Sequence, residues 1–314
     1  MNNKRWSLLA IILIIIGFAG MAYQSFNFGD EDPYHEQKWT LESLKSLAVQ
    51  SSYDIDVEVI ESTDGTNYIE IRGNMAEDTI NKLKETAVSG PNVSLDLTRS
   101  NNWSFMVINF QSSKQHMTVA LTDPAMIDQI NFKLHSNSGQ FKGLSAKNIE
   151  LTTSSGNLTA SSITSEHLTM KATSGNLKAS EIKGETEIRI GSGNVKVEQI
   201  QGNLTAHGTS GELSVEDAEG AIDAKLSSGN IRLKNFTGDG VIKSTSGNIT
   251  LTNQRSDSLD ISLTSGNITL SADPEFKGIY DLKSSTGNVK APDSPMQTRD
   301  VIKARTTSGN IKIQ

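Results

Sequence analysis

Two and four residues after a recurring glycine, and again five residues before it, the chain places an apolar side chain. After Gly156, Gly175, Gly193, Gly211, Gly229, Gly247, Gly266, Gly287 and Gly309 stand Leu158/Ala160, Leu177/Ala179, Val195/Val197, Leu213/Val215, Ile231/Leu233, Ile249/Leu251, Ile268/Leu270, Val289/Ala291 and Ile311/Ile313. Before the same glycines stand Leu151, Met170, Ile188, Ala206, Ala224, Ile242, Ile261, Leu282 and Ala304. None of these three columns contains a polar residue. Alternation at period two on both sides of a glycine predicts strands that bury one side and bend at the glycine.

With Gly139 the glycines are separated by 17, 19, 18, 18, 18, 18, 19, 21 and 22 residues. A fixed period of this length marks a repeat array. Strands so repeated predict an all-β fold, a parallel β-helix or solenoid of about nine or ten coils over residues 132–314. Coils about 4.8 Å apart give a rod of roughly 43 Å. The glycine is expected to supply a positive φ at the bend. Asn157, Asn176, Asn194, Asn230, Asn248, Asn267, Asn288 and Asn310 follow it directly, so their amides are placed to hydrogen-bond along the axis, while Gln140 and Glu212 interrupt the ladder. One Ser-Gly-Asn turn per coil is a structural motif, since a catalytic site would occur once.

Residues 39–131 lack the motif. Asp54-Ile55-Asp56-Val57-Glu58-Val59 and Tyr68-Ile69-Glu70-Ile71, joined by the Asp64-Gly65 turn, predict a hairpin. Asn74, with Glu77 three residues later, predicts the start of a helix that carries Ile80, Leu83 and Ala87 on one face. Val93–Leu97 and Met117–Leu121 read as strands. The region is expected to be an amino-terminal β-rich cap over the first coil.

Ahead of it, residues 6–23 form an apolar run broken only by Ser7, Gly17 and Gly20. At about 1.5 Å per residue this nearly spans a bilayer core. Lys4 and Arg5 precede the run and Asp30, Glu31 and Asp32 follow it. The charge bias predicts a cytoplasmic tail (1–5), one transmembrane helix (6–23), a short polar stalk (24–38) and a carboxy-terminal body outside the cell membrane. Gly20-Met21-Ala22 leaves open the alternative of a cleaved signal peptide.

Composition narrows the chemistry. There is no cysteine, which excludes disulfides, thiolate metal sites and cysteine catalysis. The formal charge is −7, more negative still once Lys4 and Arg5 are set aside, and this argues against a nucleic-acid partner. The sequence holds no Gly-x-Ser-x-Gly elbow, no His-Glu-x-x-His and no phosphate-binding loop. His35, His116, His135, His167 and His207 are scattered, and read as surface residues. Asp217, Glu219 and Asp223, the densest carboxylates of the coils, flank Gly220 in a corner and read as a solvated loop. No catalytic residue, cofactor or metal site is therefore assigned.

Four residues before successive glycines lie Thr152, Lys171, Arg189, His207, Lys225, Lys243, Ser262, Lys283 and Arg305. Lys171, Arg189, Lys225, Lys243, Lys283 and Arg305 form a candidate row for an anionic polymer such as teichoic acid, or for lipid headgroups. Glu150, Glu187, Asp223, Asp260 and Asp281, two positions earlier, offer the alternative of an ion-pair lattice. A second basic row, Lys178, Lys196, Arg232, Lys290 and Lys312, has the same two readings. The lengthened last intervals hold Asp273-Pro274-Glu275-Phe276 and Asp293-Ser294-Pro295-Met296, candidate partner loops that offer Phe276 and Met296. The coil ending at Gln314 is expected to expose unpaired edges and to permit self-association.

The serial Ser-Gly-Asn strands resemble the bacterial putative-adhesin family of unknown function over roughly residues 45–314. With one amino-terminal span and an outside solenoid, the chain is similar to the LiaG-like members linked to cell-envelope stress operons in Firmicutes. The resemblance implies a non-enzymatic, membrane-tethered envelope protein that presents a rigid surface to an envelope protein or an anionic wall polymer. The alternatives are an adhesin-like or carbohydrate-binding module and, in a third class, a polysaccharide-active β-helix enzyme. Clustered aromatics would favour sugar binding, and the coils lack them.

Overall fold

The computed structural model describes residues 32–88, 90–100, 113–124, 127–256, 258–271 and 273–314. The expected membrane span at 6–23 lies outside the described residues, and no described helix is long and apolar enough to cross a membrane.

The chain opens with β1 (Tyr34–Leu41), β2 (Ser46–Ser51), β3 (Asp54–Glu61), β4 (Asn67–Asn74), the helix α1 (Glu77–Glu85), β5 (Asn92–Leu97), β6 (Lys114–Leu121) and β7 (Gln129–Leu134). The coils continue through β8 (Gly139–Lys142), β9 (Ser145–Thr153), β10 (Leu158–Ser174), β11 (Leu177–Ser192), β12 (Val195–Gln201), β13 (Leu204–Glu219) and β14 (Ile222–Thr237). They finish with β15 (Gly240–Ser246), β16 (Ile249–Thr252), β17 (Ser258–Ser265), β18 (Ile268–Leu270), β19 (Ile279–Thr286), β20 (Val289–Lys290), β21 (Val301–Ser308) and β22 (Ile311–Ile313).

Strands of successive coils pair in parallel and in register, which stacks the sequence columns into the core. On the first face Leu177 pairs Val195, then Leu213, Ile231, Ile249, Ile268 and Ile311. On the second, Ile188 pairs Ala206, then Ala224, Ile242, Ile261 and Ala304. All of these are buried. The expected β-solenoid of about ten turns is the observed fold.

Eight of the turn glycines, from Gly175 to Gly309, have φ between +120° and +144°. Gly139 and Gly156 do not share this conformation, so the conformational argument fails for them. The Cβ position at Gly193 lies 1.6 Å from the Gly175 carbonyl oxygen, so stacked backbones exclude a side chain as firmly as the dihedral does. Six successive coils also turn at a second corner, where Ser162, Glu181, Gln199, Asp217, Asn235 and Asn253 adopt φ of 51° to 57°.

The Asn column forms hydrogen bonds along the axis. Asn176 donates its backbone N–H to the Asn157 side-chain oxygen at 2.9 Å, and Asn194 does the same to Asn176 at 3.2 Å. Glu212 still donates its N–H to Asn194 but has no amide to pass the ladder on.

The stacking order departs from the sequence order at the carboxy-terminal end. β17 and β18 pair with β21 and β22, and these in turn pair with β19 and β20. The Gly309 coil therefore lies between the Gly266 and Gly287 coils, and the expectation that the coil ending at Gln314 closes the rod is wrong. The end is the β19–β20 coil, where Val289 is 46% exposed although its column is buried elsewhere.

The amino-terminal region differs from the expectation in four ways. The parallel stack begins in it: β2 pairs β5 and β7, β3 pairs β6 and β8, and β7 pairs β9. No break falls at residue 132, and among the described strands only β4 runs against the others, antiparallel to β1 on one side and to β6 on the other. β3 and β4 are not a paired hairpin, because β6 lies between them: Met117 pairs both Val57 and Ile71. Tyr34–Lys38, read as stalk, are the first half of β1.

The helix is the fourth difference. Asn74 does not cap α1. Its side-chain amide donates to the Asp32 carbonyl at 2.9 Å, and the N-cap position is Ala76. Ile80 and Leu83 are buried as expected, whereas Ala87 lies past the helix end and is exposed.

Candidate functional site

Outward residues of the second face fall into rows because the ladder fixes which coil lies beside which. Lys171 pairs Arg189, then His207, Lys225, Lys243, Ser262, Arg305 and Lys283. All six residues of the candidate polymer row thus share one line, with Arg305 ahead of Lys283.

The acidic neighbours neutralise part of this row. Lys171 meets Glu150 at 2.9 Å, Lys225 meets Asp223 at 2.8 Å, Arg189 pairs Glu187 and Arg305 pairs Asp281. Asp260 faces Lys303 at 3.7 Å. Lys243 and Lys283 have no ion-pair partner among the described residues. The ion-pair lattice is therefore real toward the amino-terminal end and incomplete toward the other.

That incomplete stretch is a groove of about 830 Å³, lined by His207, Lys225, Lys243, Arg305 and Lys283. Two residues beyond each of these side chains on the same strands stand Thr209, Ser227, Thr245, Thr307 and Ser285, all exposed. The outward pattern of the strands sets each hydroxyl beside a cation, a pairing suited to charged oxygens that also accept hydrogen bonds. Residues 240–314 carry nine Lys or Arg and seven Asp or Glu, within a chain of net charge −7. The groove thus lies at the basic end of an acidic molecule, a polarity that a whole-chain balance conceals.

The second basic row lies on the first face and is mostly consumed. Glu198 binds both Lys178 at 3.0 Å and Lys196 at 2.5 Å, and Arg232 pairs Glu212. Hydrogen bonds from Lys196 and Lys178 hold the Glu198 carboxyl below its ordinary range. Lys290 and Lys312 are adjacent and unpaired among the described residues.

The other candidates separate. Asp217 occupies the second corner and accepts a 2.6 Å hydrogen bond from Asn235, while Asp223 is across on the second face with Lys225. His116 approaches Asp56 at 3.5 Å and His167 approaches Glu185 at 2.9 Å, far apart along the rod. Among the described residues no group of three or more His, Asp or Glu is placed to hold a metal ion. Phe276 is no loop contact: it is 4% exposed and packs on Tyr280, with ring centroids 4.9 Å apart. Met296 is 72% exposed.

No curated protein matches the chain. Among solved structures it is similar to a putative adhesin from Bacteroides fragilis NCTC 9343, at 19% identity over 72% of this chain and 96% of that one, with a TM-score of 0.30. It is also similar to a putative adhesin from Parabacteroides distasonis ATCC 8503, at 12% identity over 90% and 97% of the two chains, TM-score 0.32. A third, described as a putative lipid binding protein from the same Parabacteroides strain, is 15% identical over 89% and 95%, TM-score 0.31. The family model described as Toastrack DUF4097 matches residues 44–226 and 219–314, and the chain belongs to that family.

Proposed function

We propose that this protein is a non-enzymatic rod, tethered outside the cell membrane by residues 6–23, that binds an anionic envelope polymer along its second face. The observation that carries this reading is the line Lys225, Lys243, Arg305 and Lys283, with Lys243 and Lys283 unpaired among the described residues and exposed hydroxyls alongside. Each contact with a solvated anion is weak. Repetition along coils about 4.8 Å apart, interrupted at Ser262, converts weak contacts into avidity for a ligand that itself repeats. An open, shallow groove suits a chain that passes along it. The LiaG-like resemblance is what favours a role for such a rod in the cell-envelope stress response.

The test uses polyglycerol phosphate as the probe and the full chain in detergent. Lys225→Glu with Lys243→Glu should weaken binding roughly tenfold or more, and added salt should weaken binding of the unaltered chain. Lys178→Glu with Lys196→Glu, on the opposite face, should leave it unchanged. Equal affinity in the two double variants overturns the reading. Fractionation tests the tether: recovery with membranes supports it, and recovery from the medium with a new amino terminus near Tyr23 removes it.

A further inference from the structure

The two ends of the rod differ. At the amino-terminal end α1 buries Ile80 and Leu83 against the first strands. At the other, among the described residues, β19 pairs only with β21 and β20 only with β22. The interior columns are open there: Tyr280 and Leu282 are half-buried and Val289 is 46% exposed, while Ile279 on the outer side and Met296 on the returning segment are exposed at 36% and 72%.

The backbone of β19 is arranged as an edge. Ile279 donates its N–H to the Asp300 carbonyl at the foot of β21. By strand alternation Tyr280, Leu282 and Ser284 turn their N–H and C=O groups off the end of the rod. The Tyr280 N–H is taken by the Ser294 hydroxyl at 2.9 Å, and among the described residues no backbone group pairs with the outer edge at Leu282 and Ser284.

The sequence of this edge is self-complementary. We propose that the β19 end is a docking surface for a second copy of this chain, joined by an antiparallel β19–β19 ladder about a two-fold axis at Leu282. In that register Leu282 faces Leu282 of the second copy, and the two residues exchange both backbone hydrogen bonds. Asp281 faces Lys283 of the second copy, twice over by symmetry, so a lysine without an ion-pair partner among the described residues of its own chain gains one. Tyr280 faces Ser284, whose carbonyl takes the place of the Ser294 hydroxyl. Moving the axis one residue to Lys283 sets like charges opposite each other, which is destabilising. A two-fold normal to the sheet keeps the inner side of both rods inward, so Leu282 and Tyr280 complete one continuous core. This contact does not depend on the polymer reading.

The test is sedimentation of the full chain in detergent over a concentration series. The unaltered chain should reach a dimer. Lys283→Glu replaces two attractions with two repulsions and should weaken association roughly tenfold or more. Mixing the Lys283→Glu chain with an Asp281→Lys chain should restore a mixed dimer, because opposite charges again face each other. Leu282→Pro removes an N–H that points off the rod together with a half-buried side chain, and should give a folded monomer of somewhat lower melting temperature. A chain that stays monomeric throughout, or a dimer that Lys283→Glu leaves unaltered, overturns the proposal. Should Leu282→Pro fail to fold, the charge pair alone decides.

Discussion

Asn310 donates its backbone N–H to the Asn267 side-chain oxygen at 2.9 Å and its side-chain nitrogen to the same oxygen at 3.2 Å, across 43 positions of sequence. The turn that lies between them in the chain, at Asn288, stacks beyond Asn310, whose side-chain oxygen accepts the Asn288 N–H at 2.9 Å. The chain thus leaves the Gly266 coil, skips one rise, builds the terminal coil and returns to fill the gap. The intervals of 21 and 22 residues follow from this detour. Residues 273–278 climb past the vacant level, and residues 291–300 lead back to it.

Glycine-on-glycine stacking predicts a steep penalty at the turns. The Cβ position at Gly229, with φ of +129°, lies 1.6 Å from the Gly211 carbonyl oxygen, while Gly65, with φ of +75°, has nothing within 4 Å. Gly229→Ala should cost more than about 4 kcal/mol in denaturant unfolding, since the coils must separate to admit it. Gly65→Ala should cost about 1–2 kcal/mol, the conformational term alone.

The register predicts a contrast between the two sides of one strand ladder. Ile231 is fully buried in its column, so Ile231→Asp places an unpaired charge in the core and should cost several kcal/mol. Thr250 points outward beside Arg232, which it pairs in the ladder. Thr250→Asp should shift the midpoint of denaturation little, as a new carboxylate there meets a guanidinium. Equal losses in the two variants would refute the register.

The periodic columns made the solenoid legible, because apolar residues at Leu177, Val195 and Leu213 can share a core only if the coils stack in register. Stacking order was not legible. The turns at Gly266, Gly287 and Gly309 are alike in sequence, so nothing local says which lies beside which. The same limit hid the lysines left unpaired among the described residues, because whether Lys243 meets a carboxylate depends on the coil beside it. The second corner left a faint signal, since Asp217, Asn235 and Asn253 tolerate positive φ while Ser162, Glu181 and Gln199 give no such hint. The parallel strands β2 and β3 carry no Ser-Gly-Asn turn, so they read as part of a separate cap.

A turn outside the coils predicts a pH dependence of known sign. The Asp64 carboxylate accepts hydrogen bonds from the Thr66 hydroxyl at 2.6 Å, the Thr66 N–H at 3.0 Å and the Ser62 hydroxyl at 2.9 Å. These donors, Thr66 first, lower its pKa from 3.8 to about 2. A depressed pKa in the folded chain means that the turn's contribution is complete above pH 3.8 and is lost as pH falls through about 2. NMR titration of the carboxyl carbon should give a midpoint near 2, and Asp64→Asn should abolish this part of the acid dependence. A midpoint at the ordinary value would show that the turn does not hold in solution.

The out-of-order stacking can be tested by covalent capture, because the chain has no cysteine of its own. Ser265 pairs Ser308 in adjacent coils, and Ser308 pairs Thr286 in the next. All three side chains are exposed. Neighbouring coils lie about 4.8 Å apart, within the 4.4–6.8 Å that a disulfide requires between Cα atoms. Ser265 and Thr286 are two rises apart, about 9.6 Å, which is beyond reach without moving backbone. Ser265→Cys with Ser308→Cys should therefore oxidise quantitatively to an intramolecular disulfide, read as a faster-migrating band and by the mass of the linked peptides. Ser265→Cys with Thr286→Cys should stay reduced under the same conditions, and Thr286→Cys with Ser308→Cys should oxidise. If the Ser265/Thr286 pair closes readily and the Ser265/Ser308 pair does not, the coils stack in sequence order. The β21–β22 coil would then be the end of the rod, and the β19 surface would be covered.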